Sequence, residues 1–209
     1  SGRVDLEFIL RAFANGQDGV FIGGCKLNEC NYVTHGNYDA LSNTYIAKRI
    51  LTHLGINPDR LRMEFMSGAD AQLFTEVIDD FTKQIGQFGP LGEGEGLEDV
   101  QFRIKAAVKL IPYLRLVERE RLRVPVKSPK AYKEFFESSE TNELFDRIFA
   151  EKFALSQIML ILKEKAMSIA AIADKLGLNP SDVFRYMNNS SNHGMVRYDV
   201  ESKGYTLMT

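Results

Sequence analysis

Residues 19–32 read GVFIGGCKLNECNY. Val20, Phe21 and Ile22 lie between glycines, and this short apolar run predicts a strand over 19–24. Both cysteines of the chain, Cys25 and Cys30, follow it directly. In open α/β sheets, ligands and cofactors gather beyond the carboxyl ends of the strands, which is where Cys25 falls. Gly23 and Gly24 allow close backbone approach and leave amides to face a negative sulfur. The thiols can be read as metal ligands, as a redox pair or as two small apolar residues. Their C-x4-C spacing suits an iron–sulfur cluster, but no third cysteine follows to extend it.

Outward from this run, the pattern is that of a layered sheet. Leu6, Ile9, Leu10 and Phe13 fall at helical spacing, and Asn15-Gly16 ends that helix. Tyr38 to Leu54 is a long helix stopped by Gly55. Leu61 to Met66 suits a second strand. Ser67 is the expected cap of a third helix, whose face is Phe74, Val77, Ile78, Phe81 and Ile85. The order helix, strand, helix, strand, helix is half of an α/β layered sheet. Two strands make a poor sheet, so the expectation is a partial α/β domain whose N-terminal strand or strands lie upstream of Ser1.

Residues 89–96 (GPLGEGEG) read as a linker. A helix begins at Leu97 and should be divided near Pro112. Ser128-Pro129 opens another that runs toward Lys152. A separate helix carries Leu155, Ile158, Met159 and Leu162. Two short helices follow, one capped by Ser168 and one over 181–189, and then a hairpin over 195–208. Three helices and a hairpin make a winged-helix arrangement, related to helix-turn-helix modules. The expected division is an α/β domain over 1–90, a linker and helical connector over 91–152, and a mostly helical winged-helix-like domain over 153–209.

Composition and charge exclude several classes. Of 209 residues 44% are apolar, enough to bury a core. No apolar run reaches ~18 residues, and no basic-then-apolar leader opens the chain, so no membrane role is expected. Two cysteines make no disulfide framework, which points to a cytoplasmic setting. Residues 1–100 carry eight basic and fifteen acidic side chains, a net −7; residues 101–150 carry +4 and residues 151–209 carry +1. An acidic front half argues against nucleic acid, and the helix around Arg185 has too few cations for a DNA reader. The basic run 115–130 suits an acidic protein surface.

His35 lies close enough in sequence to form a Cys–His nucleophile pair with Cys25 or Cys30, but no orienting group accompanies it. His53 falls in a helix and His193 in the last domain. No phosphate-binding glycine motif is present.

Five blocks in order, SGRVDLEFILRAF, DGVFIGGCKLNECNY, HGNYDA, INPDRLRMEF and EVIDDFTKQIGQFGP, resemble the delta-subunit family of methyl-viologen-reducing hydrogenase. The likeness covers roughly residues 1–90 and leaves out the winged-helix part. The resemblance implies a non-catalytic electron-transfer protein with a [2Fe-2S] cluster. Cys25 and Cys30 would be cofactor and metal ligands, with the remaining ligands upstream of Ser1. It also implies two partners. The donor would be a hydrogenase or formate dehydrogenase subunit, and the acceptor a heterodisulfide-reductase-like flavoprotein subunit. Many relatives carry His where this chain has Asn31. The alternative from another class is a winged-helix regulator of transcription that responds to redox state or metal.

Overall fold

A computed structural model describes residues 4–27, 29–32 and 36–208. These divide into two compact units, Ser1–Ile148 and Phe149–Thr209.

In the first unit, α1 (Leu6–Ala14) is capped by Asp5, whose carboxylate accepts from the Glu7 amide at 3.0 Å. It buries Leu6, Ile9, Leu10 and Phe13, the four residues that the spacing selects. β1 (Val20–Gly24) pairs in parallel with β2 (Leu61–Phe65), in the register Val20 to Leu61 and Gly24 to Phe65. Between them runs α2 (Asn37–His53), buried along most of its length. Gly55, with φ of +72°, follows its end as the left-handed stop that the sequence predicts. Parallel strands need such a crossover helix, and both then end at the same edge of the sheet.

α3 (Ala71–Phe88) differs from its expected start. Asp70, not Ser67, precedes its first turn; the Ser67 amide instead donates to the Asp70 carboxylate at 2.9 Å. Of the expected face only Phe81 is buried, while Phe74 is 47% exposed. Gly19 brings α3 close to β1, since a Cβ there would lie 2.6 Å from Ile85.

Arg60 is buried at the start of β2, where its guanidinium donates to the carbonyls of Asp18, Phe88 and Gly89 at 2.9–3.0 Å. A cation at the end of α3 complements the helix dipole and satisfies its last carbonyls.

Residues 91–148 add α4 (Leu97–Val108), α5 (Ile111–Arg121), α6 (Pro129–Glu137) and the start of α7 (Ser139–Glu164). Pro112 stands in the first turn of α5, so the division near it is as the sequence indicates. α4 lies against α1 through Gln101, which donates to the Ala14 carbonyl at 3.0 Å. α6 lies against α2 through the ring pairs Tyr38–Tyr132 and Tyr45–Phe136. The helix expected from Pro129 to Lys152 is broken at Ser138, whose extended backbone ends α6 and whose hydroxyl accepts from the Thr141 amide. α7 then continues through residues 153–155, where nothing in the sequence breaks it.

In the second unit, Ile158 and Leu162 of α7 pack with α8 (Ile169–Leu176), α9 (Pro180–Asn192) and the antiparallel hairpin β3 (Val196–Asp199) and β4 (Gly204–Leu207). Ser168 and Asn179 cap α8 and α9 through their side chains, and Gly177, φ +63°, turns the chain between them. The core is Ile158, Leu162, Ile172, Ala173, Val183, Met187 and Val196. The result is a two-strand α/β part followed by a mostly helical part. No helix among the described residues is long and apolar enough to cross a membrane.

Candidate functional site

Because β1 and β2 are parallel, the loop after Gly24 and the loop after Phe65 leave the sheet side by side. The Met66 amide still donates to the Gly24 carbonyl at 2.8 Å. Further along, the Lys26 ammonium meets the Asp70 carboxylate at 2.9 Å. The Ser67 amide, and after it Lys26, hold that carboxyl down to about 2. The first loop is thereby tied to the second.

Both thiols sit in the first loop. Cys25 is exposed and Cys30 half-buried. This removes the reading of both as apolar core residues. The two sulfurs are neighbours: the Cys25 thiol is pushed up, first by partial burial and then by Cys30 beside it. Cys30 moves the other way. The Tyr32 amide, and with it the Asn37 amide and the Cys25 thiol, hold it below the ordinary thiol range. Asn37 is the first residue of α2, and Gly36 before it offers no side chain to cap the helix. The Cys30 sulfur lies against Gly36 at this helix end, which favours negative charge.

Two further contacts shape the loop. The Asn37 side chain, 2% exposed, donates to the carbonyls of Cys25 at 3.0 Å and Lys26 at 2.7 Å. Gly36 lies directly on Cys30: a Cβ there would stand 2.9 Å from its sulfur and 2.2 Å from the Tyr32 carbonyl oxygen. The sequence drew attention to the cysteines but to neither of these. A Gly-Asn pair at a predicted helix start was the available signal.

Neither of the two described histidines joins the thiols. His53 pairs with Asp146 at 2.9 Å, and His193 hydrogen-bonds the Asn189 carbonyl at 2.7 Å. His35 lies outside the described residues. A concavity of about 330 Å³ bordered by Tyr45, Arg49, Leu122, Phe136 and Phe145 includes neither cysteine.

Two adjacent thiols, one already holding amide donors, suit a soft metal or an iron–sulfur cluster. They fit as two ligands of such a group and not as a full set. Among the described residues no three His, Cys, Asp or Glu side chains come together as a metal site.

A family model described as methyl-viologen-reducing hydrogenase, delta subunit, matches residues 1–89. Another, described as the IclR helix-turn-helix domain, matches residues 158–200. The iron-sulfur subunit of the F420-non-reducing hydrogenase from Archaeoglobus profundus is 47% identical over 90 residues, 43% of this chain and 65% of the relative. The vhu iron-sulfur subunit of the same kind of hydrogenase from Methanopyrus kandleri is 38% identical over 91 residues, 44% of this chain and 68% of the relative. A subunit of the ferredoxin/F420H2-dependent CoB-CoM heterodisulfide reductase from Methanosarcina acetivorans is 40% identical over 92 residues, 44% of this chain but 12% of the relative. The chain thus spans about two thirds of the two hydrogenase subunits and a small part of the reductase one.

Proposed function

We propose, for a chain that belongs to the family of the methyl-viologen-reducing hydrogenase delta subunit, that Cys25 and Cys30 are two ligands of a [2Fe-2S] cluster and that the protein carries electrons within a redox complex. The observation that carries this reading is the placement of two cysteines on one loop beyond the carboxyl end of β1, with the Cys30 sulfur against Gly36 at the start of α2.

When bound, such a cluster supplies a one-electron couple. The chain's own groups place and tune it. The Tyr32 and Asn37 amides stabilise negative charge on the Cys30 sulfur, and hydrogen bonds to ligand sulfur shift a potential upward. Exposure of Cys25 leaves one side of the site open to a partner. Relatives include separate hydrogenase subunits and a segment of a heterodisulfide reductase. The donor is accordingly a hydrogenase subunit, with formate dehydrogenase as the alternative, and the acceptor is a heterodisulfide-reductase-like flavoprotein.

The test is anaerobic purification of the native complex, an assay of iron and acid-labile sulfide, and electron paramagnetic resonance after reduction. Equal amounts of iron and sulfide, with a signal that changes or vanishes in Cys25→Ser and Cys30→Ser, are expected. Protein free of iron, or a signal indifferent to both serines, overturns the reading.

The helix-turn-helix match favours a second reading, a winged-helix regulator that binds DNA. Charge weighs against it. Arg185 is the basic residue of α9; it pairs with Asp182 at 3.2 Å and lies over the Tyr186 ring. Apolar side chains stand outward nearby, among them Phe184 and, in and beside the hairpin, Tyr198 and Val200. This surface suits a protein neighbour better than phosphate. Titration with duplex DNA at low salt decides: binding that weakens steeply with salt restores the regulator.

A further inference from the structure

Asn37 touches the start of the thiol loop. Its side-chain amide donates to two consecutive carbonyls, Cys25 at 3.0 Å and Lys26 at 2.7 Å. The residue before it, Gly36, lies against Cys30, whose sulfur would stand 2.9 Å from a Cβ there. A buried amide is costly unless bonded, and here both side-chain hydrogens go to loop backbone. Because both partners are acceptors, the orientation of the amide is settled by the contacts themselves. The residue stands at the first position of α2, whose next turns are buried through Ala40, Ile46 and Ala47. The start of the loop is thereby tied to the helix, and Cys30 lies against the residue that precedes it.

We propose that Asn37 is the positioning residue of the two-thiol site: it ties the Cys25 backbone to the start of α2, where the Cys30 sulfur lies against Gly36, and so sets the separation of the thiols. Its place in electron transfer rests on reading the thiols as cluster ligands; its pairing of the thiols does not. The residue type follows from the geometry. Aspartate has the same shape but turns acceptors toward two carbonyls. Serine has one donor for two acceptors. Glutamine places the amide one carbon too far.

The test separates the two claims. Cluster-free full-length protein is titrated with phenylarsine oxide, which joins two neighbouring thiols: two S–H bonds and the As=O group become two As–S bonds and one water. One arsenic per chain, lost in either Cys→Ser variant, is expected of the native sequence. Asn37→Asp and Asn37→Ala should bind about 10- to 100-fold more weakly, the usual effect of losing a group that orients a ligand. Thr44→Val is the control. Thr44 is another buried polar residue of α2, donating to the Ala40 carbonyl at 2.8 Å, and its loss should leave arsenic binding intact. In iron-loaded protein, Asn37→Asp should also alter the resonance signal while Thr44→Val does not.

Arsenic affinity unchanged in either folded Asn37 variant overturns the proposal. So does native protein that fails to bridge arsenic. Iron-free native protein whose arsenic binding still depends on Asn37 removes the cluster reading and leaves the positioning role standing.

Discussion

Among the described residues from Cys25 to Tyr32 the fixing groups are polar: the Asn37 side-chain amide, the Glu29 amide on the Lys26 carbonyl and the ion pair from Lys26 to Asp70. In the unit over 149–209 they are apolar and many, seven buried side chains with partly buried neighbours around them. The second kind of order is spread over many weak contacts and tolerates replacement by residues of similar volume. The first depends on donors in particular places, and small changes there alter geometry more than stability. Folding and site assembly are therefore separable in this chain, and mutations should sort accordingly.

The largest effect on stability is expected in the apolar core. Met187 is fully buried, and Met187→Ala should lower unfolding free energy of its unit by about 2–5 kcal/mol. Urea unfolding measures it, and arsenic binding at the thiols should not change. A coupled loss would break the contrast.

Arg60 tests the same contrast inside the first unit. Arg60→Met keeps much of the volume but leaves the carbonyls of Asp18, Phe88 and Gly89 without their donor. A cost of about 1.5–3 kcal/mol follows from losing charged hydrogen bonds. Amide hydrogen exchange should rise first at residues 88–91, and a melt indistinguishable from native protein contradicts this account.

Gly36→Ala should act mainly on the site. The new methyl meets the Tyr32 carbonyl and the Cys30 sulfur, at 2.2 and 2.9 Å before any adjustment. The φ there is −107°, so the fault is steric and not conformational. Crowding of this kind costs about 1–3 kcal/mol, and arsenic affinity should drop with it. Retained affinity would show that the loop yields easily.

The smallest effect is electrostatic. Partial burial pushes the Asp146 carboxyl up, but Arg49 and His53 outweigh it and hold it below its ordinary value. A depressed carboxyl stabilises the fold above its unfolded value, and that contribution disappears as pH falls through the folded one. The loss should thus begin near the ordinary value of 3.8 and finish below it. Asp146 is 45% exposed, so solvent screening keeps the contribution under about 1 kcal/mol. Acid titration of Asp146→Asn should lack this component; equal profiles would show that the pair adds nothing.

Legibility in the sequence follows the same division. Four apolar residues of α1, the stop at Gly55, the cap Ser168 and the closing hairpin could all be read from a few neighbouring letters. The start of α3 could not, because Ser67 and Asp70 are both acceptable caps and the Lys26 ammonium opposite favours Asp70. Nor could the break at Ser138, where a serine suits the end of one helix and the cap of the next. Periodicity marked the apolar face of α3 without saying how far β1 covers it: Phe81 is buried, while Phe74 stays 47% exposed.

By itself the sequence determined the order of the first five elements, the closing hairpin, the cysteine pair at a strand's end and the family resemblance. Those depend on contacts within about one helical turn, on the two side-chain periodicities, or on letters read in order. Only the tertiary structure decided which groups hold the thiols. Asn37 reaches Cys25 across twelve positions, and Arg60 reaches Phe88 across twenty-eight. Such pairs arise because a parallel register and a crossover helix bring distant segments to one edge, and no local pattern encodes that meeting.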